Sequence, residues 1–174
     1  MRAIDAGTLT LEPQLREHAE EMFAVLGDPR STRTRTRRRP RSTGCALGTK
    51  LESRQSADGA EQWLNWVIRI KGNGLIGYVQ ATLRRDGSAA IAYEMSSAHW
   101  GRGLGRHATE AMISELIEHY RVTMLFAVAK RGNFRSLRML ERLGFRDLRL
   151  RSARRARAVP DETLMYRNVA TVTQ

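Results

Sequence analysis

Apolar residues along the chain change period several times, and each change marks an element. Leu9 and Leu11 alternate with polar neighbours within Ala3–Glu12, the period of a strand with one buried side. After Pro13, residues Leu15, His18 or Ala19, Met22, Val25 and Leu26 recur at helical spacing until Gly27-Asp28-Pro29 ends the run. From Ser31 to Thr49 large apolar residues almost vanish, so the segment has no face to bury and reads as a solvated, mobile loop. Periodicity returns at Leu51, with a short helix predicted up to Gly59. Three strands then follow: Trp63–Lys71, Leu75–Leu83 and Ala89–Met95. Gly72-Asn73-Gly74, residues that accept positive φ, joins the first two as a hairpin, and a turn at 84–88 joins the next pair. Trp63, Trp66, Tyr78 and Tyr93 alternate with aliphatic residues in these strands, which assigns them to sheet-face packing rather than to stacking on bases.

The second half repeats a strand–helix–strand rhythm. Leu104, Ala108, Met112, Glu115, Leu116 and His119 trace one side of a helix of about four turns. Val122–Ala129 is nearly continuous in apolar residues, as expected of a strand buried on both faces. Because a long helix connects it to the strand ending at Met95, the two should lie parallel with a right-handed crossover. Phe134, Leu137 and Leu140 define a further helix, closed by Gly144 beyond its C-terminus and by Phe145 folding back on its last turn. Arg146–Arg151 and Thr163–Asn168 are the final strand candidates.

Between Met95 and the long helix lies Ser-Ser-Ala-His-Trp-Gly-Arg-Gly-Leu-Gly, with glycine at 101, 103 and 105. Glycine lets backbone approach a ligand closely, and the first N–H groups of a helix have no partner inside it. A strand, a glycine turn and a helix start therefore form a place for an anion, and a phosphate would fit there.

Composition adds limits. With 174 residues, 41% of them hydrophobic, the chain is the size of one domain with a substantial core, read here as 1–174. No apolar run has the length of a membrane span, and the charged N-terminus is unlike a signal peptide, which points to the cytoplasm. The single cysteine, Cys45, excludes an internal disulfide and a multi-cysteine zinc site, and no metal is expected. The net charge of +12 invites a nucleic-acid reading, but eight of the 30 basic residues and none of the 18 acidic ones fall within 30–50. About two thirds of the excess is thus local, with a second basic cluster at 146–157. Nucleic acid is expected as a partner only through these Arg-rich segments. The 31–50 run is a mobile loop, an arm for acidic partners or RNA, or the product of a compensated frame slip in the coding DNA.

The order of elements, with Trp-Gly-Arg-Gly-Leu-Gly opening one helix and Asn-Phe-Arg-Ser-Leu-Arg-Met-Leu-Glu-Arg-Leu-Gly-Phe forming the next, resembles the GNAT acetyltransferases. Within them it is most similar to the branch of ribosomal-protein N-terminal (alanine) acetyltransferases, where Trp100 takes the slot of a Gln or Arg. The likeness covers Leu9–Pro29 and the chain from Trp63 onward, and it fails over 31–50. It implies an α/β (α+β) fold: a central mixed, mostly antiparallel twisted sheet flanked by helices, with a parallel strand pair splayed at the cofactor site. It also implies acetyl-CoA as co-substrate. Backbone N–H groups from Arg102 through Gly103, Leu104 and Gly105 to Arg106 would hold the pyrophosphate, with the two arginines adding charge. Backbone groups of Met95 and Ser96 would pair with the pantetheine arm, toward which Asn133 and Ser136 would project; Asn133 also reads as a plain helix cap.

Acetyl transfer to an amine needs a neutral amine, a polarised carbonyl and removal of a proton. Glu94, beside the expected thioester, is the candidate base, or else a carboxylate that orients the acceptor's ammonium. Relatives place a tyrosine seven residues after the asparagine to serve the leaving thiolate, and here that residue is Leu140. Ser136 is the candidate replacement. His99 reads as a surface contact, and His107 and His119 as structural. The acceptor is a primary amine, either a protein N-terminus or a small molecule; an α-amine with a pKa of about 8 is more often neutral near pH 7.5 than a lysine at about 10.4. Two rival readings stand beside this one: a CoA-binding domain of the same fold without catalysis, and a basic RNA- or ribosome-binding module. Homodimers are common in the resembling branch, and nothing in the sequence specifies one.

Overall fold

A computed structural model describes residues 1–27, 29–30, 54–148 and 161–169. The Arg-rich run at 31–50 and most of the second basic cluster lie outside them. The described residues build an eight-stranded sheet in the order β1-β2-β3-β4-β5-β6-β8-β7. Its strands are β1 (Ile4–Ala6), β2 (Leu9–Pro13), β3 (Glu61–Ile70), β4 (Leu75–Arg84), β5 (Ser88–Met95), β6 (Met124–Lys130), β7 (Arg146–Asp147) and β8 (Glu162–Asn168). Three α-helices among the described residues accompany them: α1 (Ala19–Leu26), α2 (Leu104–Tyr120) and α3 (Phe134–Arg142).

Every neighbouring pair is antiparallel except β5 and β6, which run parallel, as the helical connection between them requires. Their pairing covers only Ser88↔Met124 to Ile91↔Ala127, so β5 continues for four residues without β6 beside it. That divergence opens the sheet beside the start of α2.

Several expected elements change shape. Ala3–Glu12 is two short strands, because Gly7 at φ +75° turns the chain back on itself. Of the helix expected over 51–59, residues 54–59 form an isolated bridge, Gln55↔Gln62, and a turn held by Asp58 and Ser56; 51–53 lie outside the described residues. Short polar side chains that bond nearby backbone favour such turns over helix. β6 begins two residues later than expected and is buried mainly on one side: Leu125, Ala127 and Ala129 are inside, while Met124, Phe126 and Val128 are half-buried. Of the final strand candidates, 146–151 appears as the two-residue β7, with 149–151 outside the described residues, and 163–168 appears as β8, inserted between β6 and β7.

The main core fills one side of the sheet, where Ala108, Met112 and Leu116 of α2 meet Leu9, Leu11, Trp66, Val79 and Leu125. Trp66 is fully enclosed and its indole N–H donates to the Arg2 carbonyl at 2.8 Å, so the buried ring keeps its polar group paired. A smaller cluster on the other side seats α1 through Met22 and Val25 on Val67 and Leu75, with Tyr78 alongside. Successive strand residues face opposite sides, so Tyr93 looks toward the α2 side and Glu94 toward the α1 side.

Gly77 sits opposite Met95 at the divergence. A Cβ there would run into the Glu94 carbonyl oxygen and crowd the Met95 Cα, both backbone atoms that cannot swing aside. Gly77→Ala is therefore expected to destabilise the protein by about 1–3 kcal/mol, measured by chemical denaturation.

Candidate active site

The helix that follows the glycine turn starts at Leu104, with Gly103 as its N-cap at φ +78° and Gly101 at φ +76°. Both conformations lie in the left-handed region that glycine alone enters freely. A Cβ built at either position meets nothing within 4 Å, so open space rather than packing surrounds the turn. His107 N–H is the first to bond back into the helix, to Gly103 O at 3.0 Å. The N–H groups before it point outward at the positive end of a 17-residue helix.

Trp100 braces the turn. Its indole N–H donates to the Met95 carbonyl at 2.9 Å, and the Arg135 guanidinium lies 4.4 Å from the centroid of its ring, a cation–π contact between the turn and α3. Asn133 caps α3: its side-chain oxygen accepts the Ser136 N–H at 3.1 Å. The other end closes as expected, with Gly144 at φ +82° and Phe145 N–H returning to Leu140 O at 2.9 Å.

These parts surround a cavity of about 670 Å³. Glu94 and Met95 line it from β5. Gly103, Leu104, Gly105 and Arg106 line it from the start of α2, and Asn133 and Ser136 from α3. Arg102 and Ser96 do not. The backbone expectation for Ser96 changes with the geometry, because its N–H donates to Ile76 O at 2.9 Å and so turns toward β4. By the alternation of an antiparallel ladder, Tyr93 and Met95 then present their backbone groups on the open side. Of these, the Met95 carbonyl is taken by Trp100.

Glu94 is buried, and the Tyr78 hydroxyl lies 3.3 Å from its Oε2. It faces the α1 side of the opening, whereas Asn133 and Ser136 reach the opening from α3. Leu140, at the position where relatives carry a tyrosine, is almost wholly buried against the core and offers no proton. The Ser136 Oγ instead lies 2.6 Å from the Tyr93 hydroxyl. Burial pushes the Tyr93 hydroxyl up to about 12, with the bond to Ser136 acting the other way.

Sequence reasoning passed over six contributors. Tyr78 and Tyr93 carry hydroxyls into the site in addition to packing on the sheet. Arg135, Arg138 and Arg142 line the cavity from α3, and their i, i+3, i+7 spacing was the signal that they share a helical side. His99, read as a surface contact, also lines the cavity and has a buried Nδ1 without a hydrogen-bond partner. His107 and His119 are structural: one bonds Ala6 O, the other sits beside the buried Glu115, which is also held by Arg2. Among the described residues, no group of three His, Cys, Asp or Glu could hold a metal ion, and no helix is long and apolar enough to cross a membrane.

Solved structures share this architecture. The chain superposes on the microcin C7 self-immunity acetyltransferase MccE in complex with acetyl-CoA and AMP at a TM-score of 0.73 and 14% identity, covering 97% of each chain. On RimL, the ribosomal L7/L12 α-N-protein acetyltransferase in complex with coenzyme A, the TM-score is 0.71 at 12% identity, covering 97% of this chain and 99% of that one. The ribosomal-protein-S5-alanine acetyltransferase from Vibrio fischeri gives 0.71 at 15% identity, covering 95% and 96%. At such identities these likenesses establish the fold. Residues 8–146, the greater part of the chain, also match the family model described as an acetyltransferase (GNAT) domain. From the parallel pair that parts beside a glycine turn to the sequence match across both motifs, the chain belongs to the GNAT acetyltransferase family.

Proposed function

We propose that the protein transfers the acetyl group of acetyl-CoA to a primary amine, a protein N-terminal α-amine or a small-molecule amine, by direct attack within a ternary complex. The observation that carries this reading is one cavity joining an outward-pointing helix N-terminus at Gly103–Arg106 to the buried carboxylate of Glu94. The residues fit the co-substrate. Open space at Gly101 and Gly103 leaves room for the pyrophosphate against backbone N–H groups, and Arg106, Arg135 and Arg138 supply positive charge around it. The backbone edge of β5 at Tyr93 and at the Met95 N–H, where β6 has diverged and the Met95 carbonyl is occupied by Trp100, suits an extended amide-bearing arm such as pantetheine.

Acetyl-CoA supplies an activated acyl carbon on a good leaving group; the chain's own groups handle protons and charge. Glu94, on the α1 side, takes a proton from the attacking amine directly or through water, and Tyr78 holds one of its oxygens. Ser136, on the α3 side, presents a hydroxyl toward the departing sulfur. Acceptor and donor thus approach the opening from opposite sides of the sheet. RimL, named as a ribosomal L7/L12 α-N-protein acetyltransferase, and the ribosomal-protein-S5-alanine acetyltransferase share the fold, and these names favour a protein α-amine acceptor in the cytoplasm. Arg102 adds charge at the turn, and a homodimer is compatible with this arrangement.

A thiol-release assay over N-terminal peptides, polyamines and aminoglycosides is expected to give turnover dependent on one amine class. For an α-amine acceptor, kcat/KM should rise with pH and level off near about 8, whereas a lysine-type amine would keep it rising toward about 10. No release with any amine would leave only CoA binding.

A further inference from the structure

GNAT chemistry leaves a thiolate to be stabilised, and the position expected to do so holds Leu140, which is buried and apolar. The structure places another hydroxyl pair at the cavity. The Tyr93 hydroxyl, from β5, and the Ser136 Oγ, from α3, stand 2.6 Å apart and both residues line the cavity. They come from two elements that flank the divergence, and they lie across the β5 backbone from Glu94. The Ser136 backbone is fixed by its N–H bond to Asn133, so its Oγ has a defined place.

Resting on the acetyl-transfer reading above, we propose that Tyr93 is a positioning residue for the departing thiolate: its O–H donates to Ser136 Oγ, which directs the Ser136 O–H into the cavity toward the sulfur.

An isolated serine hydroxyl rotates freely and spends little time aimed at one acceptor. A tyrosine donor locked on its oxygen removes that freedom, and hydrogen bonds in a chain strengthen one another. In the transfer itself the N–C bond forms and the C–S bond breaks, with the electron pair remaining on sulfur. The amine proton leaves through Glu94 or water, and the thiolate gains its proton from solvent. Full proton transfer from Tyr93 is not required and is disfavoured: with its hydroxyl raised to about 12 by burial and a thiol near 8.5, the transfer is uphill by roughly three orders of magnitude. The same elevation keeps Tyr93 protonated, and therefore a donor, throughout the working pH range.

The test compares the parent protein, Tyr93→Phe, Ser136→Ala and the double variant with the amine found in the acceptor screen. Two donors are used: acetyl-CoA and an S-aryl thioacetate, whose thiolate is a weaker base and needs less help. With acetyl-CoA, Tyr93→Phe should lower kcat about 10-fold while KM for acetyl-CoA stays within twofold. With the aryl donor the deficit should shrink below about threefold. The double variant should be no slower than Ser136→Ala, because the two hydroxyls act as one unit. A Tyr93→Phe kcat within twofold of the parent, an equal deficit with both donors, or independent losses that multiply in the double variant would each overturn the proposal. If Tyr93→Phe fails to fold, Ser136→Ala with the two donors decides: an equal deficit with both overturns it. A parent protein with no turnover on any amine sinks the acetyl-transfer reading and this proposal with it; an active parent beside an unaffected Tyr93→Phe sinks this proposal alone.

Discussion

Replacing Gly103 with valine is expected to raise the Kd for acetyl-CoA about 100-fold while leaving the protein folded. Two effects combine. At φ +78° a residue with a Cβ is strained by about 1–2 kcal/mol, and a β-branched one by more, so the backbone relaxes out of the left-handed region even though nothing crowds the new side chain. The first N–H groups of α2 then lose their common aim. Losing one or two hydrogen bonds to a charged phosphate, at about 1.5–3 kcal/mol each, accounts for the expected 100-fold. Strain confined to a turn surrounded by open space spares the core, so circular dichroism and the melting midpoint should change little. Titration calorimetry is the measurement, and an unchanged Kd would remove the phosphate cradle from this turn. Alanine at Gly105 tests the contrast. Gly105 has no positive φ, and its Cβ would rest in ordinary contact with Met95 and Met139, so alanine there should be nearly neutral.

The elements that build the proposed donor half of the site were legible because their signals are local. A glycine at φ +78° that starts a helix, and an asparagine three residues before the serine whose N–H it accepts, are both features of consecutive residues. The parallel pairing of β5 and β6 followed from connection length alone. What escaped depends on contacts between distant segments. Tyr93 and Ser136 are 43 residues apart, and nothing in either neighbourhood indicates that their hydroxyls meet. Nothing in the residues around Gly77 marks the close approach of the Glu94 and Met95 backbone that register brings against it. Ser96 was expected to offer backbone to the cofactor, but register alone decides which residues of β5 face outward, and register places its N–H on Ile76. The split of the first strand at Gly7 was missed for a simpler reason: alternation on either side of a two-residue turn reads as one run. The acceptor half was least legible, since the resemblance fails over 31–50, which lies outside the described residues.

Glu94→Gln separates the two roles open to that carboxylate and is expected to have the largest effect on turnover. The amide matches the carboxylate in shape and can still meet the Tyr78 hydroxyl, so the substitution removes charge and basicity with little disturbance of packing. If Glu94 accepts the amine proton, kcat should fall by about 100-fold or more. KM for acetyl-CoA should stay unchanged, because Glu94 faces the α1 side of β5, whereas Asn133 and Ser136, the proposed contacts to the donor, line the cavity from α3. If it only steers a cationic acceptor, the loss should instead appear as a raised acceptor KM that grows with decreasing salt, since attraction over several ångströms is screened by ions. Raising the pH adds a second criterion. An amine that is already neutral needs no help in becoming a nucleophile, but the proton released after attack must still be accepted, so a base variant remains slow at high pH. A steering variant should approach the parent as the acceptor loses its charge. Steady-state kinetics from about pH 6 to 10 at two salt concentrations distinguish the cases, and a kcat within threefold of the parent across that range would remove Glu94 as the base.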